Sequence, residues 1–200
     1  MKGGSWFLIV SLFFGAVPPD GMDALAAEEA RYRIVQKTGS LELREYEPQI
    51  VAQTVVEGDF NQGGDIGIAR LLGYVSGDNA KKLTIPMTAQ VTLEELGKRW
   101  QISLLMPSEL AWDDLPEPLD NTVSLKRIPG RTMAAVSCSG PWNRTRYEEQ
   151  RCRLEDLVRK RGLRPLGGFA HARYDPPFNH RFPLRYEVLV TVKPDKKDSP

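Results

Sequence analysis

Eighteen positions of this chain, Leu43–Phe60, correspond without a gap to Leu125–Trp142, 82 positions farther on. Leu43-Arg44-Glu45-Tyr46 answers to Leu125-Lys126-Arg127-Ile128, and Val51-Ala52 to Met133-Ala134. Gly58 answers to Gly140 and Phe60 to Trp142. A second echo, at an offset of 86, relates Trp100–Met106 to Tyr186–Val192. Two copies of one supersecondary unit, each too small to bury its own apolar face, must pack on one another. The repeat therefore predicts a pseudo-two-fold single domain with a cleft between its halves.

The first 26 residues read as a signal peptide. Lys2 supplies a positive start, and Trp6–Val17 is a nearly all-apolar run of twelve residues. That is short of the roughly 20 needed to span a bilayer. Ala24-Leu25-Ala26 gives the small-x-small pattern of a cleavage site. A tethered N-terminal anchor is the competing reading, since Asp20 and Asp23 make the segment before the cut acidic. Cleavage would leave no stable membrane span and an exported chain, periplasmic or secreted. Its domain would cover residues 27–192, with a polar tail at 193–200. Export implies an oxidising compartment in which Cys138 and Cys152 could pair. Helical spacing turns Cys152 away from the apolar stripe and argues against the bond. A formal charge of +1 carries no basic surplus for nucleic acid.

Period-2 alternation marks a hairpin at Tyr32–Gln36 and Leu41–Glu45, split by Thr38-Gly39-Ser40. Ile50–Glu57 reads as the next strand and Asn61–Gly77 as a helix, with Ile68, Leu71, Leu72 and Val75 at helical spacing. Gly63, Gly64, Gly67 and Gly73 each weaken that helix by up to ~1 kcal/mol relative to alanine. They require a reason: close approach of something flat, or close packing on the sheet. Ala89–Leu93 and Trp100–Met106 are the next strands. The second copy gives strands at Val123–Ile128 and Arg131–Ser139. Its helix opens on a capping box, Thr145-x-x-Glu148, and is stopped by Gly162. Phe169–Tyr174 and Tyr186–Val192 close it. Runs of antiparallel strands with one helix per copy make an α+β fold. The expected form is a distorted β-barrel flanked by two helices.

Most catalytic signatures are missing. The chain has no Walker loop, no dinucleotide fingerprint, no Cys-x-x-Cys pair and no Gly-x-Ser-x-Gly elbow. Two histidines, His171 and His180, limit acid–base and metal chemistry. His171 falls inside a strand, where a structural role is the ordinary explanation. His180 falls in a loop beside Arg181, where function is commoner. Asp59 and Asp65 have an ordinary role as helix-start carboxylates. What breaks the repeat is Leu83–Val91 and the block Ala172–Phe178.

Taken in order, these segments resemble the SOUL heme-binding family. The matching pieces are Arg44-Glu45-Tyr46, Glu57-Gly58-Asp59-Phe60, Leu72–Asn79, Ile85–Val91, Leu105-Met106-Pro107-Ser108, Arg173-Tyr174-Asp175-Pro176-Pro177 and Tyr186-Glu187-Val188. The resemblance runs from about Tyr32 to Val192. It implies a pseudo-two-fold barrel with two helices, and binding of heme or another tetrapyrrole in an apolar groove near the first helix. Carried over by position, the binding face would include Arg70, Leu71, Tyr74 and Met87, with Tyr174 and His180 on the approach to the last strand. Where some members carry a histidine proposed to ligate iron, this chain has Glu45, so that strand offers no such ligand.

Three classes of function follow. The first is an exported tetrapyrrole carrier or scavenger. The second is a small-molecule module of the kind found in multidrug-responsive regulators, with Glu57 or Glu45 meeting an apolar cation. The third is a dechelatase that takes the metal from a tetrapyrrole, with His180 or Tyr174 as proton donor. Binding is favoured over catalysis.

Overall fold

The computed structural model describes residues 28–139, 143–174 and 185–194. The expected signal peptide, Gly140, Trp142, His180 and the end of the polar tail lie outside them. Nine strands and two helices follow in chain order: β1 Tyr32–Thr38, β2 Leu41–Tyr46, β3 Gln49–Glu57, α1 Phe60–Val75, β4 Val91–Leu96, β5 Arg99–Leu105, β6 Val123–Ile128, β7 Arg131–Ser139, α2 Arg144–Arg159, β8 Leu163–Arg173 and β9 Arg185–Pro194. A short 3-10 turn, Trp112–Asp114, interrupts the connection from β5 to β6. All strands join one antiparallel sheet in the order β1-β2-β7-β9-β8-β4-β5-β3-β6. The fold is α+β, as expected. No ladder joins the edge strands β1 and β6 among the described residues, so hydrogen bonding leaves the sheet open rather than closing the expected barrel.

Strand periodicity gives the sheet two different faces, because alternate side chains point to opposite sides. On one face Ile50, Ala52 and Val56 of β3, Leu93 of β4, and Trp100, Ile102 and Leu104 of β5 meet α1. Ala134 and Val136 of β7 and Val188, Val190 and Val192 of β9 meet Tyr147, Leu154 and Val158 of α2. This is the main core. The other face is concave, and a smaller cluster there gathers Tyr46, Leu105, Met133 and Leu189 from four different strands.

The glycines of α1 have their reason in the sheet. A Cβ on Gly63 would stand 2.7 Å from Trp100, one on Gly64 2.8 Å from Leu93, and one on Gly67 2.5 Å from Ile102. The helix lies so close to β4 and β5 that hydrogen is the only side chain that fits. Of the two explanations open from sequence, close packing on the sheet holds at these three positions. Gly67→Ala will therefore lower stability despite alanine's higher helix propensity. Overpacking costs about 1–3 kcal/mol and the helix gain returns at most ~1. The expected net loss is about 1–2 kcal/mol by urea denaturation, with a fall in melting temperature of a few degrees. An unchanged midpoint would show that Ile102 can yield freely.

Both helix starts are capped, one of them differently from expectation. Asp59 accepts the Gln62 amide at 2.8 Å ahead of α1. For α2 the cap is Asn143, whose side chain accepts the Arg146 amide at 2.9 Å. Thr145 and Glu148 are already inside the helix, and Glu148 pairs with Arg144 and Arg151 instead of closing a capping box. Asparagine is at least as good a cap as threonine and comes two residues earlier. Gly162, at φ +63°, follows the helix end as expected. Cys138 is half-buried in β7, Cys152 is exposed on α2, and both are free thiols. Strand β8 begins six residues before the expected Phe169: Leu163–Leu166 already pair with β9, and a bulge at Gly167–Gly168 shifts the register before pairing resumes at Ala170.

Candidate functional site

The residues expected to form one binding face are divided between the two sides of the sheet. Leu71 and Tyr74 are each 1% exposed, inside the core beneath α1. The Tyr74 hydroxyl donates to the Pro116 carbonyl at 2.9 Å. Burial raises its pKa to about 12. Arg70 is half-buried and donates to the Thr54 hydroxyl at 3.4 Å. Met87 is half-buried in the segment before β4. Tyr174 belongs to the opposite face, packed with Tyr46, Leu105 and Met133. Its hydroxyl donates to Glu187 at 2.5 Å, and the Arg185 guanidinium covers its ring at 3.8 Å. His180 lies outside the described residues.

His171 is a core side chain. Its ring stacks on Phe60 at 5.2 Å and lies 5.4 Å from Tyr147 and 6.2 Å from Trp100. Burial, with a smaller contribution from Arg173, lowers its pKa to about 3. It is a neutral aromatic wedge between α1, β5 and α2, not an exposed ligand.

The same face as Tyr174 carries a buried ionic knot. Arg44 donates to both oxygens of Glu187, at 2.7 and 2.8 Å, and also to Glu42. Ser137 donates to Glu187 at 2.9 Å. Burial alone would raise the Glu187 carboxyl, but the bonds from Arg44 and Tyr174 outweigh it and hold it below the usual range. The knot joins β2, β7 and β9 and leaves Tyr174 no freedom to protonate a substrate.

The concave face holds a cavity of about 160 Å³. Its polar wall comes from alternate residues of the strands: Gln49 and Gln53 of β3, Thr92 and Glu94 of β4, Gln101 and Ser103 of β5, and Arg131 of β7. Glu94 Oε1 accepts the Gly168 amide at 2.9 Å, an approach that the β8 bulge permits. A Cβ on Gly168 would stand 2.7 Å from the Glu95 carbonyl. Burial raises the Glu94 pKa, and the Gly168 bond and Arg131 only partly oppose it. Burial also lowers that of Arg131, opposed by Tyr46 and Glu94. Arg131 Nη1 and Gln49 Nε2 are buried without a hydrogen-bond partner. The acids proposed from sequence for such a cleft are elsewhere: Glu57 is exposed at the end of β3, and Glu45 is exposed and bonded by Arg33. The available signal was the run of polar residues at alternate positions in strands otherwise rich in core residues. From sequence alone that pattern is indistinguishable from a solvent-facing surface.

Among the described residues no group of three or more His, Cys, Asp or Glu side chains is placed to hold a metal ion. No helix among them is long and apolar enough to cross a membrane.

Comparisons with known proteins place these features in a wider set. A family model described as SOUL heme-binding protein matches residues 27–191. Human heme-binding protein 2 is 33% identical over 132 residues, covering 62% of this chain and 64% of that protein. Heme-binding protein 1 of Xenopus laevis is 27% identical over 146 residues, covering 69% of this chain and 76% of that protein. Among solved structures, the EcmrR C-terminal domain superimposes with a TM-score of 0.58 at 15% identity, covering 82% of this chain and 98% of that one. A hydrolase from Listeria innocua gives 0.55 at 12% identity, covering 77% and 92%. At such identities the two structures share the fold and nothing finer.

Proposed function

Because the chain belongs to the SOUL heme-binding protein family, we propose that it binds heme or a related tetrapyrrole as an exported carrier or scavenger. The family match over residues 27–191 carries this reading. The named relatives support it, although the chain spans only 64% of the length of the human protein. Export rests on the apolar run Trp6–Val17 and the Ala24-Leu25-Ala26 site. N-terminal sequencing of the protein recovered from outside the cytoplasm tests it, with Ala27 the expected first residue.

The inner cavity does not suit a macrocycle. At about 160 Å³ it is well below the roughly 300–1,000 Å³ of pockets that enclose larger ligands. A tetrapyrrole is therefore assigned to the outer surface near α1. Ile66 is exposed there and Arg70 is within reach of solvent, whereas Leu71 and Tyr74, each 1% exposed, face the sheet and can only support that surface from within. Met87, half-buried ahead of β4, is proposed to extend that face, and His180, carried over by the resemblance, lies outside the described residues. His171 is enclosed by aromatic rings and cannot turn to an iron outside. Binding then rests on apolar stacking, with cations pairing to the propionates. A bound heme would supply a redox-active iron; the chain supplies the surface and the charge.

The architecture is proposed to be two copies of one unit. Strands β2 and β6 begin 82 residues apart, as do β3 and β7. Read outward from the β8–β4 pair, the order β9, β7, β2 on one side answers to β5, β3, β6 on the other. Tyr46, Leu105, Met133 and Leu189 meeting on the concave face support a barrel-like wrap of that sheet.

Hemin titration tests the binding reading. A saturable Soret shift is expected, and Arg70→Ala or His180→Ala should weaken it about tenfold, the equivalent of one charge-assisted hydrogen bond. Absence of a saturable shift in the wild-type chain would refute tetrapyrrole binding. Conversion to a metal-free spectrum would replace carriage by dechelation.

A further inference from the structure

Glu94 and Arg131 line the same small cavity, yet no ion pair within 4.0 Å joins them or supplies either with another opposite charge among the described residues. Both residues are half-buried and not sealed from water, but a charge drawn partly out of water is still favoured by an opposite partner. Glu94 receives one amide, from Gly168, and a long contact of 3.5 Å from Gln101. Arg131 has Nη1 unused, and the neighbouring Gln49 has Nε2 unused. Donors and an acceptor therefore converge on one space. Between them the wall is apolar: Val51, Leu105, Met133 and Leu189.

We propose that this cavity binds a free α-amino acid with a small apolar side chain. The ligand carboxylate would accept from Arg131 and Gln49, its ammonium would donate to Glu94, and its side chain would lie on the apolar wall. Size agrees. A dry engineered cavity of about 150 Å³ takes a benzene molecule, so about 160 Å³ accommodates a guest of roughly six to ten non-hydrogen atoms. A zwitterion supplies one unit of each charge and leaves the site neutral. The geometry disfavours single-ended ligands, since an anion alone would leave Glu94 unpaired and a cation alone would leave Arg131 unpaired. The raised carboxyl of Glu94 and the lowered guanidinium of Arg131 agree with two groups whose desolvation is only partly offset by their attraction for each other. This site is separate from the tetrapyrrole face, and either can fail without the other.

Saturation-transfer NMR and calorimetry on the full chain, with L-valine as probe, test the assignment. Valine should bind saturably, while isobutylamine, which lacks the carboxylate, and isovalerate, which lacks the amine, should each bind about tenfold more weakly. This comparison needs no variant. Glu94→Gln should reverse the order of valine and isovalerate, because the acid no longer demands a cation. Arg131→Gln should likewise favour isobutylamine. No valine binding at millimolar concentration, or equal binding of all three probes to the wild-type chain, would overturn the assignment.

Discussion

Glu187→Ala will cost about 3–5 kcal/mol of folding stability, the range for removing one member of a buried pair. Arg44 is 2% exposed and Glu187 2% exposed, so water cannot replace the lost carboxylate. The variant leaves the Arg44 guanidinium with Glu42 and the Tyr46 hydroxyl as partners, and removes the acceptor of Tyr174 and Ser137. Four segments lose their common junction at once. Arg44→Met/Glu187→Leu should recover much of the loss, because a buried pair exchanged for packed apolar side chains is often neutral. Urea denaturation of the two variants separates the mechanisms. A loss below about 1 kcal/mol in the single variant would place the pair with weak surface bridges and contradict its burial. Glu187 also adds an acid-dependent component. Its folded pKa is depressed, so the stability it contributes is complete above the unfolded value of about 4.3 and is lost as pH falls through the folded one.

The fold was more legible in the sequence than the site, and particular residues show why. Strand pairs β2/β6 and β3/β7 were readable because alternation and turn residues are local signals. The start of β8 was not, since the bulge at Gly167–Gly168 interrupts alternation inside the strand and separates Leu163–Leu166 from the readable run that follows. Helical spacing placed Leu71 on the apolar stripe of α1 and the resemblance added Tyr74, but neither could say whether those side chains met a ligand or the sheet. The glycines decide it, because Gly63, Gly64 and Gly67 press against Trp100, Leu93 and Ile102 on the same side. Glu94 and Arg131 were invisible as a pair. They are 37 residues apart in sequence, on strands that are not neighbours in the sheet. Curvature of the sheet brings them to one cavity, and curvature has no short-range signature.

Between pH 6.5 and pH 4.5 the protein will lose stability through His171. Burial, aided by the Arg173 charge, lowers its folded pKa to about 3, against 6.5 for the free side chain. The unfolded chain therefore takes up the proton first, and stability falls as pH falls below 6.5. The limiting slope is about 1.4 kcal/mol per pH unit, which gives about 2 kcal/mol lost by pH 5. Above pH 7 the group is neutral in both states and contributes no slope. Glu187 adds to the loss only at the acid end of this window, where the unfolded carboxyl, with its ordinary value of about 4.3, begins to take up a proton that the folded one refuses. Glu94 works in the opposite sense: its raised carboxyl takes a proton in the folded state first and returns some stability toward the acid end. His171→Phe isolates the effect, since phenylalanine keeps a ring against Phe60, Trp100 and Tyr147 without a titrating nitrogen. Its urea midpoint should vary much less from pH 7 to pH 5 than that of the wild-type chain, whatever its absolute stability. His171→Asn should flatten the profile equally from a lower starting point. Parallel profiles for all three proteins would mean that the buried imidazole is not the acid-sensitive group.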